Sequence, residues 1–456
     1  MEPKNPENEQ NLDEESRVED SRTSLEGNHG PTTIQRTERP NFKPELMEEI
    51  VDRSNLESAL KRVRQNKGSA GIDGMKVEEL PDYLKRNWEP IKLQLLQGKY
   101  KPRPVKRVDI PKPDGGVRQL GIPTVMDRFI QQALCQILQA EYDKTFSDSS
   151  FGFRPNRSAH QAVLKAQAYQ NEGHHYVVDL DLEKFFDQVN HDKLMGKIRR
   201  DIQDVRVLKL IRAYLNAGVM DGGVVTKSEE GTPQGGPLSP LLSNIVLDEF
   251  DHELEKRGHK FVRYADDCNI YVKTPRAGER VMKSVKEFIE KKLKLKVNEK
   301  KSKVDKPTKR KFLGFSFFVR RMMSKIRIAP ESITRFKIKI REITCSRRRI
   351  KFVDLIKELQ TYLRGWKAYF KLTESRKVLE VLEKWIRHRL RNYIWQQWPK
   401  VRTRYKMLIK FGIGHDLALK TAASGKGAWR LSNSPALKIA FPAKYFDKFK
   451  LPRLTA

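Results

Sequence analysis

Residues 261–272 read FVRYADDCNIYV. Two apolar runs, Phe261 to Tyr264 and Cys268 to Val272, flank Ala265, Asp266 and Asp267, a pattern that predicts two short strands joined by a tight turn with adjacent carboxylates at its tip. Upstream, residues 176–181 read YVVDLD. As a strand, their period of two sets Asp179 and Asp181 on one face and Val178 and Leu180 on the other. Clustered acids repel one another unless a cation neutralises them, and hard oxygen ligands with bound water suit Mg²⁺. Taken alone, each acidic pair favours a bland reading, Asp266–Asp267 as a solvated turn and Asp181 as a cap of the next helix. Their joint context argues against it.

That context is strongly basic. Of 456 residues, 91 are Lys or Arg and 58 are Asp or Glu, a net charge of +33 that makes a polyanion the expected partner. The charge is arranged along the chain. Residues 1–50 hold 6 basic and 13 acidic groups, whereas residues 331–456 hold 31 basic and 9 acidic. A hydrophobic content of 38% allows packed cores and excludes wholesale disorder. Cys135, Cys268 and Cys345 form no C-x-x-C pair, which excludes a disulfide framework and a Cys-rich zinc site. No run approaches the ~18 to 20 apolar residues needed to span a bilayer, and the amino terminus is no signal peptide, so a cytoplasmic protein with no membrane partner is expected.

With these residues in view, the chain resembles a known family. Tyr-Ala-Asp-Asp between apolar strands resembles the catalytic hairpin of reverse transcriptases, and DLEKFFDQVNH, from Asp181's neighbourhood onward, resembles the strand and turn bearing their other catalytic Asp. Between them GTPQGGPLSPLLSNIVL resembles the dNTP-pocket motif. PKPDGGVRQLGIPTVMDRFIQQAL and SFGFRPNRSAHQA resemble the fingers of group II intron reverse transcriptases, and KLKVNEKKSKV and KFLGFSF their last palm blocks. The match runs in order from about residue 55 to 320.

The resemblance implies roles residue by residue. Asp181 and Asp266, with Asp267 in support, would hold two Mg²⁺ ions that activate the primer hydroxyl and steady the departing pyrophosphate. Lys301 would protonate that pyrophosphate. Lys112 and Arg118 would clasp the triphosphate, Gln234 would line the nucleotide pocket, and Phe186 would exclude a 2′-hydroxyl while Phe185 packs inward. Phe312, Leu313, Gly314 and Phe315 fall where the family grips the primer.

After about Glu331 strand signals vanish and helical spacing takes over. Phe352, Leu355, Ile356, Leu359, Leu363, Trp366 and Phe370 recur on one face, and Leu379, Leu382, Ile386, Leu390 and Tyr393 repeat the pattern. Opposite that second stripe Lys384, Arg387, His388 and Arg391 recur at i, i+3, i+4 and i+7, a cationic face read as RNA-binding. TYLRGWKAYF resembles the thumb or maturase domain of group II intron proteins, which implies binding to the intron RNA and help with its splicing.

The expected fold is α+β, a right-hand polymerase of fingers and palm followed by an all-helical thumb. Four segments are expected: an acidic disordered leader at 1–44, fingers and palm at 45–330, the helical thumb and maturase domain at 331–404, and a basic C-terminal segment at 405–456 offered to target DNA. The tail resembles those of bacterial members without a His-Asn-His nuclease. The expected partners are group II intron RNA, an RNA or DNA template with its primer, target DNA and dNTPs, in a bacterial cytoplasm and at the nucleoid when on DNA. Two competitors share many of these features: a host-adapted, CRISPR-associated or defence reverse transcriptase, and a splicing factor that only binds RNA.

Overall fold

Ten strands in three sheets are found among the described residues. In the computed structural model these residues are 39–111, 115–221, 224–226, 231, 235–348 and 350–455, the side chains at 118, 221 and 224–226 excepted. Lys112, Gln234, the side chain of Arg118 and residues 1–38 of the expected leader therefore lie outside the described residues. The last residues of that leader are not free chain, because Phe42 packs on Tyr142 with ring centroids 5.3 Å apart.

The fingers sheet runs in the order β2, β1, β4, β5, with β1 at Val105–Pro111, β2 at Val117–Ile122, β4 at Val219–Asp221 and β5 at Val224–Thr226. β1 and β2 form an antiparallel hairpin from Lys106↔Ile122 to Pro111↔Val117. The palm sheet runs β6, β7, β3, β8, with β3 at Tyr176–Leu180, β6 at Lys260–Tyr264, β7 at Asp267–Val272 and β8 at Lys303–Asp305. A separate hairpin pairs β9 (Phe315–Arg320) with β10 (Met323–Ile328), and among the described residues the elements that follow it are all helices.

The palm sheet separates two cores, and its period of two explains how. Val178, Leu180, Phe261, Cys268 and Ile270 join one cluster with helices Val125–Thr145, Val205–Leu215 and Ser239–Lys256. Their sequence neighbours Val177, Val262 and Tyr271 join a second cluster with the helices beyond residue 330. Burying both faces is why these strands carry apolar residues at nearly every position.

The thumb stripes pack as the spacing predicts: Leu355, Ile356, Leu359 and Leu363 of helix Phe352–Tyr369 and Leu379, Leu382, Ile386 and Leu390 of helix Arg376–Gln396 are all buried. The tail packs on the thumb. Helix Val401–Lys410 runs across the 404/405 boundary, and Leu408, Leu437, Phe441 and Phe446 belong to the same cluster as Leu390, Tyr393 and Trp395. Glu383 secures the end of the chain by accepting hydrogen bonds from the backbone N–H groups of Leu454 (2.6 Å) and Thr455 (2.9 Å). Residues from 39 onward form one compact unit.

Candidate active site

Register brings the acids together. β6 pairs β7 down to Tyr264↔Asp267, which leaves Ala265 and Asp266 as a two-residue turn with Ala265 in the left-handed region at φ +57°. β3 pairs β7 up to Leu180↔Cys268, so one residue further Asp181 comes level with Asp267 on the face shared with Asp179. Gly152 explains how the loop SFGF fits behind this turn. A Cβ on Gly152 would lie 2.3 Å from the Ala265 nitrogen, so only glycine admits the contact.

The backbone of Asp181 is held on both sides. Its N–H donates to Ser302 Oγ (3.0 Å), and its carbonyl accepts from the Asn298 N–H (2.8 Å). The loop that supplies these contacts also carries Lys301, whose Nζ lies 3.9 Å from Asp181 Oδ2. Asp179 is occupied differently: Arg310 Nε donates to its Oδ2 at 2.8 Å, while Arg310 Nη2 donates to the Lys301 carbonyl at 2.9 Å. Arg310 thus links the strand of acids to the lysine loop.

Asp267 reports the local field. Crowding by the surrounding protein, and then repulsion from Asp266, Asp179 and Asp181, push its carboxyl up to about 7, although its surface remains exposed. Burial also raises Asp179, against the pull of Arg310. Four carboxylates therefore share one electrostatic neighbourhood. They do not close into a cage: among the described residues no three His, Cys, Asp or Glu side chains converge as metal ligands. The expected trio of Asp181, Asp266 and Asp267 is thus open, since a strand end and a two-residue turn project their side chains from separate backbones.

The aromatic pair after Asp181 divides as its neighbours require. Phe185 is buried, and Phe186 meets it edge to face at 5.3 Å but keeps partial exposure. Gly231, at the start of the GTPQGG loop, lies against Phe186: at φ +90° its N–H donates to the Val189 carbonyl (2.9 Å), and a Cβ there would sit 2.9 Å from the Phe186 carbonyl oxygen. The glycine thus sits directly against the Phe186 segment.

Two groups of expected contacts need correction. Phe312 and Phe315 are core side chains, 4% and 0% exposed, so their rings face the protein interior and not a strand. They hydrogen-bond each other's backbones across a turn made by Leu313 (φ +50°) and Gly314 (φ +80°), and the Phe315 ring packs on Tyr369 and Phe370 rather than facing water. The Leu313–Gly314 turn between them is part-exposed. On helix Arg376–Gln396, Arg391 is 8% exposed and spends its guanidinium on the Ser432 (Nε, 3.0 Å) and Phe441 carbonyls. His388 stacks on Trp429 at 3.7 Å. The tail engages that half of the cationic face, and all four expected residues, Lys384, Arg387, His388 and Arg391, line one open cleft with Trp385, Asn433 and Lys438.

Sequence reasoning missed Arg310, Ser302 and Arg263. Arg263 carried a readable signal, a charged residue inside the apolar run FVRY. Arg310 and Ser302 carried none, lying in a basic stretch that reads as solvated surface.

Comparison with known proteins follows the same division of the chain. Residues 110–317 match the reverse transcriptase (RNA-dependent DNA polymerase) family, and residues 333–412 match the group II intron, maturase-specific domain. Protein YkfC of Escherichia coli (strain K12) is 32% identical over 321 residues, which are 61% of this chain and 83% of that protein. Group II intron-encoded protein LtrA of Lactococcus lactis subsp. cremoris is 31% identical over 329 residues, 58% of this chain, and the match spans about half (55%) of its length. A solved partial Cas6-RT-Cas1--Cas2 complex aligns with a TM-score of 0.35 and 25% identity, covering 55% of this chain and 44% of that one, an overlap too slight to bear on function. Among the described residues no helix is long and apolar enough to cross a membrane.

Proposed function

We infer the chemistry from one premise: the chain belongs to the family of group II intron reverse transcriptases that carry a maturase domain. It is an RNA-directed DNA polymerase, and its substrates are a nucleic-acid template with a primer and dNTPs. The observation that carries the assignment of its centre is the register that levels Asp181 with Asp267 and leaves Asp266 at the turn.

The donor set fits Mg²⁺. Hard carboxylate oxygens, a raised Asp267 and mutual repulsion describe negative charge that a small divalent ion would relieve. Asp181 and Asp266 would hold it, with Asp267 in support. An open arrangement suits an ion that keeps several waters and takes further ligands from substrate phosphates. Bound there, Mg²⁺ supplies Lewis-acid stabilisation of the attacking and leaving oxygens. Lys301 stands beside Asp181 and would protonate the departing pyrophosphate. The Phe186 backbone stands against Gly231, and its bulky ring under the sugar would exclude ribonucleotides. Lys112, Arg118 and Gln234 complete the nucleotide pocket in this reading. Intron RNA is the expected polyanion, with Lys384 and Arg387 among its contacts and splicing assistance as the second task; target DNA would meet the basic tail helices.

The test is primer extension by the purified chain on an RNA template with a DNA primer, under a Mg²⁺ titration. Extension should require Mg²⁺, all four dNTPs and an RNA or DNA template. Absence of any extension across the titration, with RNA still bound, would favour a splicing factor that only binds.

A further inference from the structure

We propose that Arg263 is a positioning residue that sets the conformation of the Ala265–Asp266 turn and couples it to the helix following the GTPQGG loop. Its side chain is 1% exposed and lies three residues before Asp266, on the strand that leads into the turn. A guanidinium has five N–H donors, and here all five are engaged. Nε and Nη2 fork onto Asp251 (2.7 Å to Oδ1 and 2.5 Å to Oδ2). Nη1 donates to Asn244 Oδ1 (3.0 Å) and to the Ala265 carbonyl (2.9 Å), and Nη2 also donates to Ser150 Oγ (2.8 Å).

Each of these partners has a meaning for the site. Ala265 is a non-glycine residue at φ +57°, a conformation that persists only where surrounding contacts enforce it. The Arg263 hydrogen bond holds its carbonyl from one side, and Gly152 backs its nitrogen from the other. Asn244 joins the two restraints: its Oδ1 accepts from Arg263, and its Nδ2 donates to the Gly152 carbonyl at 2.9 Å. Asn244 and Asp251 both lie on helix Ser239–Lys256, whose first residues follow the GTPQGGPL segment directly. The helix that starts at the nucleotide loop and the turn that presents Asp266 are therefore tied through one buried side chain.

Energetics favour positioning over stability as the reason for this arginine. A fully buried ion pair gains little over a packed apolar pair of similar volume, because desolvation cancels most of the attraction. A forked, planar donor set is what an apolar pair could not supply. Displacing a reacting group by about 1 Å costs roughly 100-fold in rate.

The inference rests on the polymerase reading above. Two variants test it beside wild type: the apolar exchange Arg263→Met with Asp251→Leu, and the conservative Arg263→Lys, which keeps the buried charge but has no fork to reach Asp251 and Ala265 together. Folding by circular dichroism, RNA binding, kcat, KM for dNTP and the Mg²⁺ concentration for half-maximal extension are measured on each. The expected result is a folded protein that binds RNA within twofold of wild type, with kcat lowered about 10- to 100-fold and the Mg²⁺ requirement raised several-fold. A folded variant with wild-type kcat and Mg²⁺ dependence overturns the proposal and leaves the polymerase reading intact. Loss of folding in both variants also overturns it, by making Arg263 a residue of stability. If wild type extends no primer, both readings fall together.

Discussion

Phe186 and Phe185 are adjacent, yet the account gives them opposite sensitivities. Phe186→Ala should raise the efficiency of rNTP relative to dNTP incorporation in single-nucleotide extension while dNTP activity survives. Phe185→Ala, which empties a buried position, should instead cost about 3–5 kcal/mol of stability. An unchanged sugar preference in Phe186→Ala would return that ring to the core. Asp179, Asp181, Asp266 and Asp267 were readable because strand period and turn position are local properties. Arg391 was not. The helix's own spacing sets it opposite the apolar stripe, and what covers it is the chain around Ser432 and Phe441, some forty to fifty residues away. Arg391→Ala should therefore lower the unfolding free energy by about 1–3 kcal/mol through the carbonyls left without a donor, measurable by urea denaturation. A loss of RNA affinity with no loss of stability would contradict that assignment.

At the level of elements, the helices and strands follow from periodicity, but their joints do not. Helix Phe352–Tyr369 ends on a joint of this kind. Tyr369 Oη donates to the Leu313 carbonyl at 2.9 Å, and His160 Nε2 donates to the Tyr369 carbonyl at 2.6 Å. The thumb thereby holds the Leu313–Gly314 turn, proposed to meet the primer, through a long-range contact invisible in FLGF itself. Tyr369→Phe removes one hydrogen bond of about 1 kcal/mol, so KM for primer-template should rise about fivefold with KM for dNTP unchanged; an equal rise in both would show a general defect. Helix Ser239–Lys256 carries a second testable joint. The Asp248 carboxylate pushes His252 up to about 9, so the folded state holds its proton more tightly than the unfolded chain. This stabilisation is full below about 6.5 and is lost as pH rises through about 9. With His252 about one third exposed, solvent screening reduces it to about 1 kcal/mol. Denaturation at pH 6.5 and 9.5 should show that loss in wild type and not in His252→Gln.

Across the whole molecule, one sheet separates two cores, and the acids stand on the face turned toward the thumb's core. The order of motifs and the change from mixed structure to helix made this division legible. The closing of the tail onto the thumb was not, because its short helices offer little periodicity of their own. Copying should depend on the acids and RNA binding on the broad positive surface. Replacing Lys384 and Arg387 by Gln should weaken RNA binding and shallow its salt dependence by up to ~0.9 log unit per log salt for each duplex phosphate that the side chains no longer neutralise. An unaltered slope would assign that cleft to solvent.

The most direct measurement is Asp266→Asn, nearly isosteric but without the charge a divalent ion needs, assayed in one preparation for primer extension and for RNA binding. Extension should fall to background while RNA affinity stays within about twofold of wild type, since removing a negative charge cannot weaken phosphate attraction. Near-normal extension would mean that the hairpin at residues 264–267 is not the catalytic centre, and would contradict the account at its core.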